Sequence, residues 1–407
     1  MTYTPIPQGT ENWDVPVNAA FTSQDARITE LEDTGSISPG VFIPPGWGQF
    51  WRAKRNASAF ATSRIIAAGD SLTEGYYASN TITDSWAGLM RTSLQNAYGD
   101  GGSGLFSTSR TDVVSTATAG AVAAWEANGS FATTTGVWTL GPQYFGPGVS
   151  FMTSSAAATA TFNVRGSLVK IYNITGSAPR ANFTYSIDGG APVGVTVTPG
   201  PTAIQTTTVG SLSPGNHQVV IAWNGAPADV LYLIGVAGEN NTGVIVDNAG
   251  RAGITSTNWS SSVPFGTAYN GGPSLPADLV ICSLGLNDAA QSIADSTWVQ
   301  NMGTYLNNVK SANNGETDII LVLMHDGNFT NPQIYANYSS RIKDLAENYS
   351  AALVNLWAIG RNSWDYWNSF GYWGNATTPG PSGTDNVHLS DAGHAYVSSI
   401  ITPIVMS

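Results

Sequence analysis

A single cysteine, Cys282, stands among 407 residues. No disulfide can therefore form within one chain, and zinc sites built on paired cysteines are excluded. Its neighbours, Leu279-Val280-Ile281-Cys282-Ser283-Leu284, read as a buried strand, where a thiol acts as a small core group. Charge is scarce as well. Asp, Glu, Lys and Arg make up 10% of the chain, against about 25% in an average soluble domain. Only 15 residues are basic against 27 acidic, for a net charge of −12. A nucleic-acid partner needs clustered cations that displace counterions from phosphates. The one local cluster, Arg52, Lys54 and Arg55, reads as a face of a short helix, so this balance argues against such a partner. No run approaches the ~20 apolar residues of a membrane span. Met1-Thr2-Tyr3-Thr4-Pro5 has neither the basic nor the apolar region of a secretion signal. The four histidines are scattered, and none pairs at helical spacing beside a glutamate, so no metal site is expected. No glycine loop followed by lysine is present to cradle phosphate, and no cofactor is implied.

What fills the composition is Gly, Ser, Thr and Asn around a hydrophobic content of 42%, enough for a real core. At roughly 100–200 residues per domain, the length suggests two or three domains. Residues 1–40 are polar and punctuated by proline, and form a leader. Within it Phe21 to Leu31 can make a short helix, either a capping helix or a self-association segment. From Ser63 an α/β pattern starts. Arg64 to Ala68 is an apolar strand ending in Gly69-Asp70-Ser71, and Trp86, Leu89, Met90 and Leu94 recur at helical spacing. Residues 111–238 differ, with short alternating segments such as Ser167 to Tyr172 and Phe183 to Ile187, and turns at Asp188-Gly189-Gly190 and Ser213-Pro214-Gly215-Asn216. That spacing predicts an antiparallel β-sandwich. The α/β pattern then resumes. It has strands at Val244–Val246, Leu279–Leu284, Ile319–Met324 and Leu353–Trp357, helices around Trp298–Val309 and Tyr335–Tyr349, and a last helix capped by Ser390. Alternating elements argue for a parallel sheet covered on both faces. The α/β unit would span 41–110 and 239–407, with the sandwich inserted.

Three short motifs fall just beyond strand ends, where parallel sheets place ligands: Gly69-Asp70-Ser71-Leu72-Thr73, Gly285-Leu286-Asn287-Asp288 and Asp385-Asn386-Val387-His388. Ester hydrolysis needs a nucleophile, a base to take its proton, and donors for the oxyanion. Asp385 and His388 lie three apart, so one turn can bring both side chains together. A carboxylate beside an imidazole fixes its tautomer and stabilises its cation.

Together these motifs resemble the SGNH (GDSL) hydrolases, in that family's order. A fourth element of the pattern, a glycine usually five residues after an asparagine, matches Asn248-Ala249-Gly250-Arg251-Ala252-Gly253. It gives Gly253, with Gly250 as the alternative. The resemblance covers roughly 45–110 and 239–407. It implies a flavodoxin-like α/β/α sandwich and Ser71, Asp385 and His388 as catalytic triad. It also implies an oxyanion hole from the N–H groups of Ser71 and Gly253 and the side-chain amide of Asn287. Ser71 would start a helix, whose dipole favours a developing anion. The long insertion between the serine and glycine motifs departs from many members. It is similar to the β-rich modules of some actinobacterial and phage members, and is either a glycan-binding module, a pocket wall or a spacer. Thr4 to Pro16 is similar to the starts of phage tail proteins, in which a leader attaches to the virion and a coil often trimerises. The expected setting is thus extracellular or virion-associated, with a homo-oligomer, a trimer if a tail protein.

The expected partner is an ester substrate, foremost a short acyl (acetyl) ester on a carbohydrate, then a lipid or envelope ester. The rival reading is a virion adhesin that binds host-surface glycan without turnover. His325, Trp364, Trp367 and Trp373 are candidate substrate contacts. The tryptophans crowd a loop rich in Gly, Asn and Pro, and are either core or a wall that stacks on sugar rings. His394 reads as structural and His217 as a surface residue. Asp288 is expected to bond within its own turn and Glu74 to cap the helix after Ser71.

Overall fold

The computed structural model describes residues 40–107, 132–140, 152–178, 180–226, 229–260, 277–325, 327, 331–374 and 387–407. The expected leader helix of Phe21 to Leu31 lies outside the described residues. In chain order the first elements are β1 (Val41–Phe42), α1 (Gln49–Asn56), β2 (Thr62–Gly69), the one-turn α2 (Ser71–Glu74), α3 (Trp86–Tyr98) and β3 (Gly104–Ser107). A long β-rich stretch follows: β4 (Ala132–Thr135), β5 (Thr139–Leu140), β6 (Met152–Ser154), β7 (Thr159–Gly166), β8 (Leu168–Ile174), β9 (Asn182–Ile187) and β10 (Val193–Val195). It closes with β11 (Ile204–Val209), β12 (Gly215–Asn224) and β13 (Leu231–Glu239). The α/β pattern returns as β14 (Gly243–Gly250), α4 (Ser256–Ser260), β15 (Leu279–Ser283), α5 (Leu286–Ala290), α6 (Asp295–Ala312) and β16 (Asp318–Leu323). The last elements are α7 (Pro332–Asn348), β17 (Ala352–Asn355), α8 (Leu356–Ile359), α9 (Trp364–Asn368) and α10 (Asp391–Met406).

The apolar runs Ile65–Ala68, Leu279–Cys282 and Ile319–Leu323 are too long for a one-sided strand, and all are buried. They pair in a sheet of order β1-β17-β16-β15-β2-β14, parallel throughout except at β1. One face packs on α6 and α7 through Trp298, Met302, Tyr335 and Ile342. The other packs on α1, α3 and α10 through Trp51, Trp86, Met90 and Val397. This is the three-layer arrangement expected. Taken in chain order, the five parallel strands lie as second, first, third, fourth, fifth, so the winding reverses at β2. A doubly wound sheet opens its ligand crevice at that reversal, beyond the carboxyl ends of the strands.

The remaining strands form two antiparallel sheets, β10-β9-β12-β7-β4 and β11-β8-β13-β6-β5, with β3 pairing β13. Period-two alternation in β7 puts Ala160, Phe162 and Val164 inward. They share a cluster with Val169 and Ile171 of the facing sheet. The opposite side of β8 and β13 supplies Tyr172, Ile174 and Ile234 to the α6–α7 side of the core. Arg64 on β2 crosses this junction. It pairs with Asp247 of β14 and, at 2.5 Å, with Glu239 of β13, which in turn holds Lys170 of β8 at 2.7 Å.

Three expectations change. The helix after Ser71 is one turn long, stopped by Gly75 at φ 91°, so its dipole is small. His217 is buried rather than superficial: its ring nitrogens bond Asp188 Oδ2 at 2.7 Å and the Ser213 carbonyl at 2.8 Å. Trp357, expected to end a strand, lies in α8.

Candidate active site

Backbone register sets the site. Gly69, the last residue of β2, aligns with Gly250 on one side and Ser283 on the other. Ser71, Gly253 and Asn287 therefore leave the sheet two to four residues beyond one level of the same rim. Ser71 follows Asp70, the cap of α2, whose Oδ1 accepts the Leu72 N–H at 3.0 Å. Burial pushes the Asp70 carboxyl up to about 7.

His388 reaches the rim from the segment before α10. Its Nε2 lies 2.8 Å from Ser71 Oγ, the separation a proton transfer between them requires. Ser71 is buried and His388 half-buried. The backbone of His388 is fixed by its carbonyl, which accepts the Gly374 N–H at 2.8 Å. Asp385 lies outside the described residues.

The two glycine candidates separate on geometry. The Gly250 N–H already donates to Asn248 Oδ1 at 2.9 Å. A β-carbon on Gly250 would lie 2.0 Å from the Glu74 nitrogen, so this glycine lets β14 approach α2. Gly253 is exposed, at φ 77°, with open space where a side chain would be. Its N–H makes no hydrogen bond among the described residues. Asn287 Nδ2 donates to the neighbouring Ile254 carbonyl at 2.9 Å, which orients the amide toward the Gly253 loop.

That loop is clamped at both ends by carboxylates whose roles the sequence hid. Glu74, 2% exposed, accepts the Ala252 N–H at 2.6 Å. Asp288 accepts the Ser256 N–H at 3.0 Å and its hydroxyl as well. Glu74 thus holds a distant loop rather than capping its own helix, and Asp288 bonds beyond its own turn. Both sit one to three residues from a motif position, and only that adjacency signalled them. Tyr76 and Tyr77 were missed too. Their rings flank His388 at centroid distances of 4.6 and 5.7 Å, and Tyr77 takes φ 70°, a costly conformation for a bulky side chain.

The proposed aromatic wall is mostly core. His325 is 2% exposed between Trp367 and Trp373, at 5.1 and 5.4 Å. Those tryptophans are 1% and 5% exposed, which leaves none of the three open to stack on a sugar in this structure. Burial lowers His325 to about 4. Trp364 is half-buried at the edge of that cluster. His394 is structural, buried behind α3 with Nδ1 accepting the Trp86 N–H at 3.4 Å. Among the described residues no three His, Cys, Asp or Glu side chains gather to hold a metal, and no helix is long and apolar enough to cross a membrane.

Residues 215–396 match the GDSL-like lipase/acylhydrolase family. The match takes in Asn287 and His388 but begins after Ser71, which β2 delivers to the same rim. Among solved structures, one titled as a peptidoglycan O-acetylesterase in action aligns over 88% of this chain and 95% of its own, with TM-score 0.60 and 16% identity. It shares the fold. A family two carbohydrate esterase with a carbohydrate-binding domain, from Myceliophthora fergusii, aligns over 67% of this chain and 98% of its own at 14% identity and TM-score 0.29. One from Clostridium thermocellum aligns over 64% and 97% at 14% identity and TM-score 0.29. Superpositions that loose add nothing to the fold assignment. No curated protein matches the chain by sequence. The family match and the paired serine and histidine point to a carboxylic ester hydrolase.

Proposed function

We propose that this carboxylic ester hydrolase works through an acyl-enzyme on Ser71 and removes short acyl groups, acetyl foremost, from carbohydrate. Ser71 Oγ attacks the ester carbonyl while His388 Nε2 takes its proton. Asp385 holds the imidazole and stabilises its cation. The Ser71 and Gly253 N–H groups and the Asn287 amide donate to the oxyanion, where preorganised donors contribute most. His388 then protonates the leaving alcohol, and water activated by the same imidazole releases the acid. The observation that carries this reading is the 2.8 Å contact between Ser71 Oγ and His388 Nε2.

The preference for a short acyl group is supported by Tyr76 and Tyr77, whose rings crowd His388. A glycan acetyl ester also accords with the peptidoglycan O-acetylesterase that shares this fold. On the same reading, the two antiparallel sheets are an inserted β-sandwich. Residues 1–40 then serve attachment and self-association outside a cell, as the Thr4 to Pro16 segment suggests.

A fluorophosphonate label located by mass spectrometry tests the mechanism, with p-nitrophenyl acetate turnover alongside. Ser71 is expected to take the label, and Ser71→Ala to lose both label and turnover. A folded sample that takes no label at Ser71 would sink the proposal.

A further inference from the structure

The rim is not the only concave surface. A groove of about 910 Å³ runs between α3 and the outward face of β7 and β12. Its sheet wall follows from register. Asn216 stands opposite Arg165, and Gln218 opposite Asn163, so four polar side chains point outward as one block. Asn96 extends the lining on the helix side. Arg165 joins the two walls, donating to Gln95 Oε1 of α3 at 2.8 Å and pairing with Asp100 at 3.1 Å.

We propose that this groove binds a neutral, hydroxyl-rich ligand: the glycan chain that carries the ester. The side chains of Asn96, Asn163, Asn216 and Gln218 make no hydrogen bonds among the described residues, although all four line the groove. Each amide offers donors and an acceptor a few ångströms apart, the pairing that adjacent sugar hydroxyls match. The groove holds little net charge to select an anion. Arg165 pairs with Asp100, and Asp188 is engaged by the His217 ring. Arg91 is occupied by the Ile82 carbonyl at 2.8 Å. The volume lies within the roughly 300–1,000 Å³ typical of ligand sites.

The groove also touches the segment that borders the candidate active site. Ile82 and Thr83 line it, and their N–H groups bind Asn80 Oδ1 at 2.9 and 3.2 Å. Next to them, Ser79 is tied to Asp391 at the start of α10, and Tyr76 and Tyr77 lie against His388. A chain seated in the groove therefore meets the loop beside the imidazole. This link, though not the binding itself, rests on the esterase reading.

The test uses the triple variant Asn163→Ala, Asn216→Ala, Gln218→Ala, at three exposed positions. Affinity electrophoresis would measure binding of the full-length protein to soluble xylan, hydroxyethylcellulose and solubilised peptidoglycan glycan strands. Kinetics would compare partially O-acetylated xylan with p-nitrophenyl acetate. The wild type is expected to bind at least one polysaccharide. The triple variant should weaken that binding at least tenfold, with p-nitrophenyl acetate turnover unchanged. Asn163→Trp, which fills the groove by bulk, should produce the same loss. Wild-type protein that binds none of these chains, or a triple variant that binds as well as wild type, overturns the proposal. Failure of the esterase reading looks different, with polysaccharide binding intact and no turnover of p-nitrophenyl acetate.

Discussion

Glu74→Ala should damage turnover without touching any reacting atom. The Glu74 carboxylate accepts the Ala252 N–H at 2.6 Å, one residue before Gly253. A hydrogen bond to a charged group contributes about 1.5–3 kcal/mol. Removing it loosens a loop that is also anchored by the Arg251 N–H on the Gly69 carbonyl at 3.1 Å, the Asp288 contact to Ser256 and the Asn287 contact to Ile254. Loss of one oxyanion donor costs about 2.7–4 kcal/mol, or roughly 10²–10³ in kcat. Because the loop is relaxed rather than cut, the lower end applies, about a hundredfold in kcat with KM changed only a few-fold. Glu74→Gln keeps an oxygen acceptor at the same reach and should lose less than about tenfold, as a neutral acceptor bond contributes less than a charged one. The assay is steady-state hydrolysis of p-nitrophenyl acetate, with thermal melts confirming the fold. Two results refute the reasoning: a folded Glu74→Ala protein with near-wild-type kcat, or a Gln variant as damaged as the Ala variant.

His388→Ala should abolish turnover more completely than Asp385→Asn, since the latter keeps the imidazole; equal or opposite losses in the same assay count against the assigned roles. Asp70 binds its proton more tightly when folded, near 7, than an ordinary aspartate near 3.8. Its contribution to stability is therefore greatest at low pH, falls as pH rises from about 4 to 7, and is level above. Asp70→Asn should flatten that part of a plot of urea midpoint against pH, and an unchanged slope would contradict the assignment. Arg64→Met removes the cation that pairs with both Asp247 and Glu239 in the interior and leaves Lys170 paired with Glu239 alone. Breaking a buried ion pair costs about 3–5 kcal/mol, to be read by chemical denaturation, and a loss under about 1 kcal/mol would show that the network is not needed for stability.

The strands of the parallel sheet were legible because each is buried on both faces and so reads as an unbroken apolar run. The motif positions were legible because the chemistry tolerates few substitutes: the hydroxyl, the imidazole and the amide each have one obvious residue near a strand end. The supporting contacts were not. Glu74 reaches across 178 positions to Ala252, and no periodicity encodes a hydrogen bond of that span. His217 misled for a similar reason, because its ring is held by Asp188, in the turn after β9, and by the Ser213 carbonyl. The Trp-rich loop reads alike whether its rings face solvent or each other. Packing around His325 decides it, and packing depends on which segments meet in space.

The antiparallel sheets are joined to the parallel one by very short connections. α3 ends at Tyr98 and β3 begins at Gly104, while β13 ends at Glu239 and β14 begins at Gly243. Arg64 rivets the second junction. Neither end offers a tether long enough for the β-rich unit to swing like a module on a string. The spacing between its outer face and the serine is set when the chain folds, as the jaws of a fixed wrench are set at the forge. Lengthening either connection should unsettle the relative placement of the two surfaces before it unsettles either one alone.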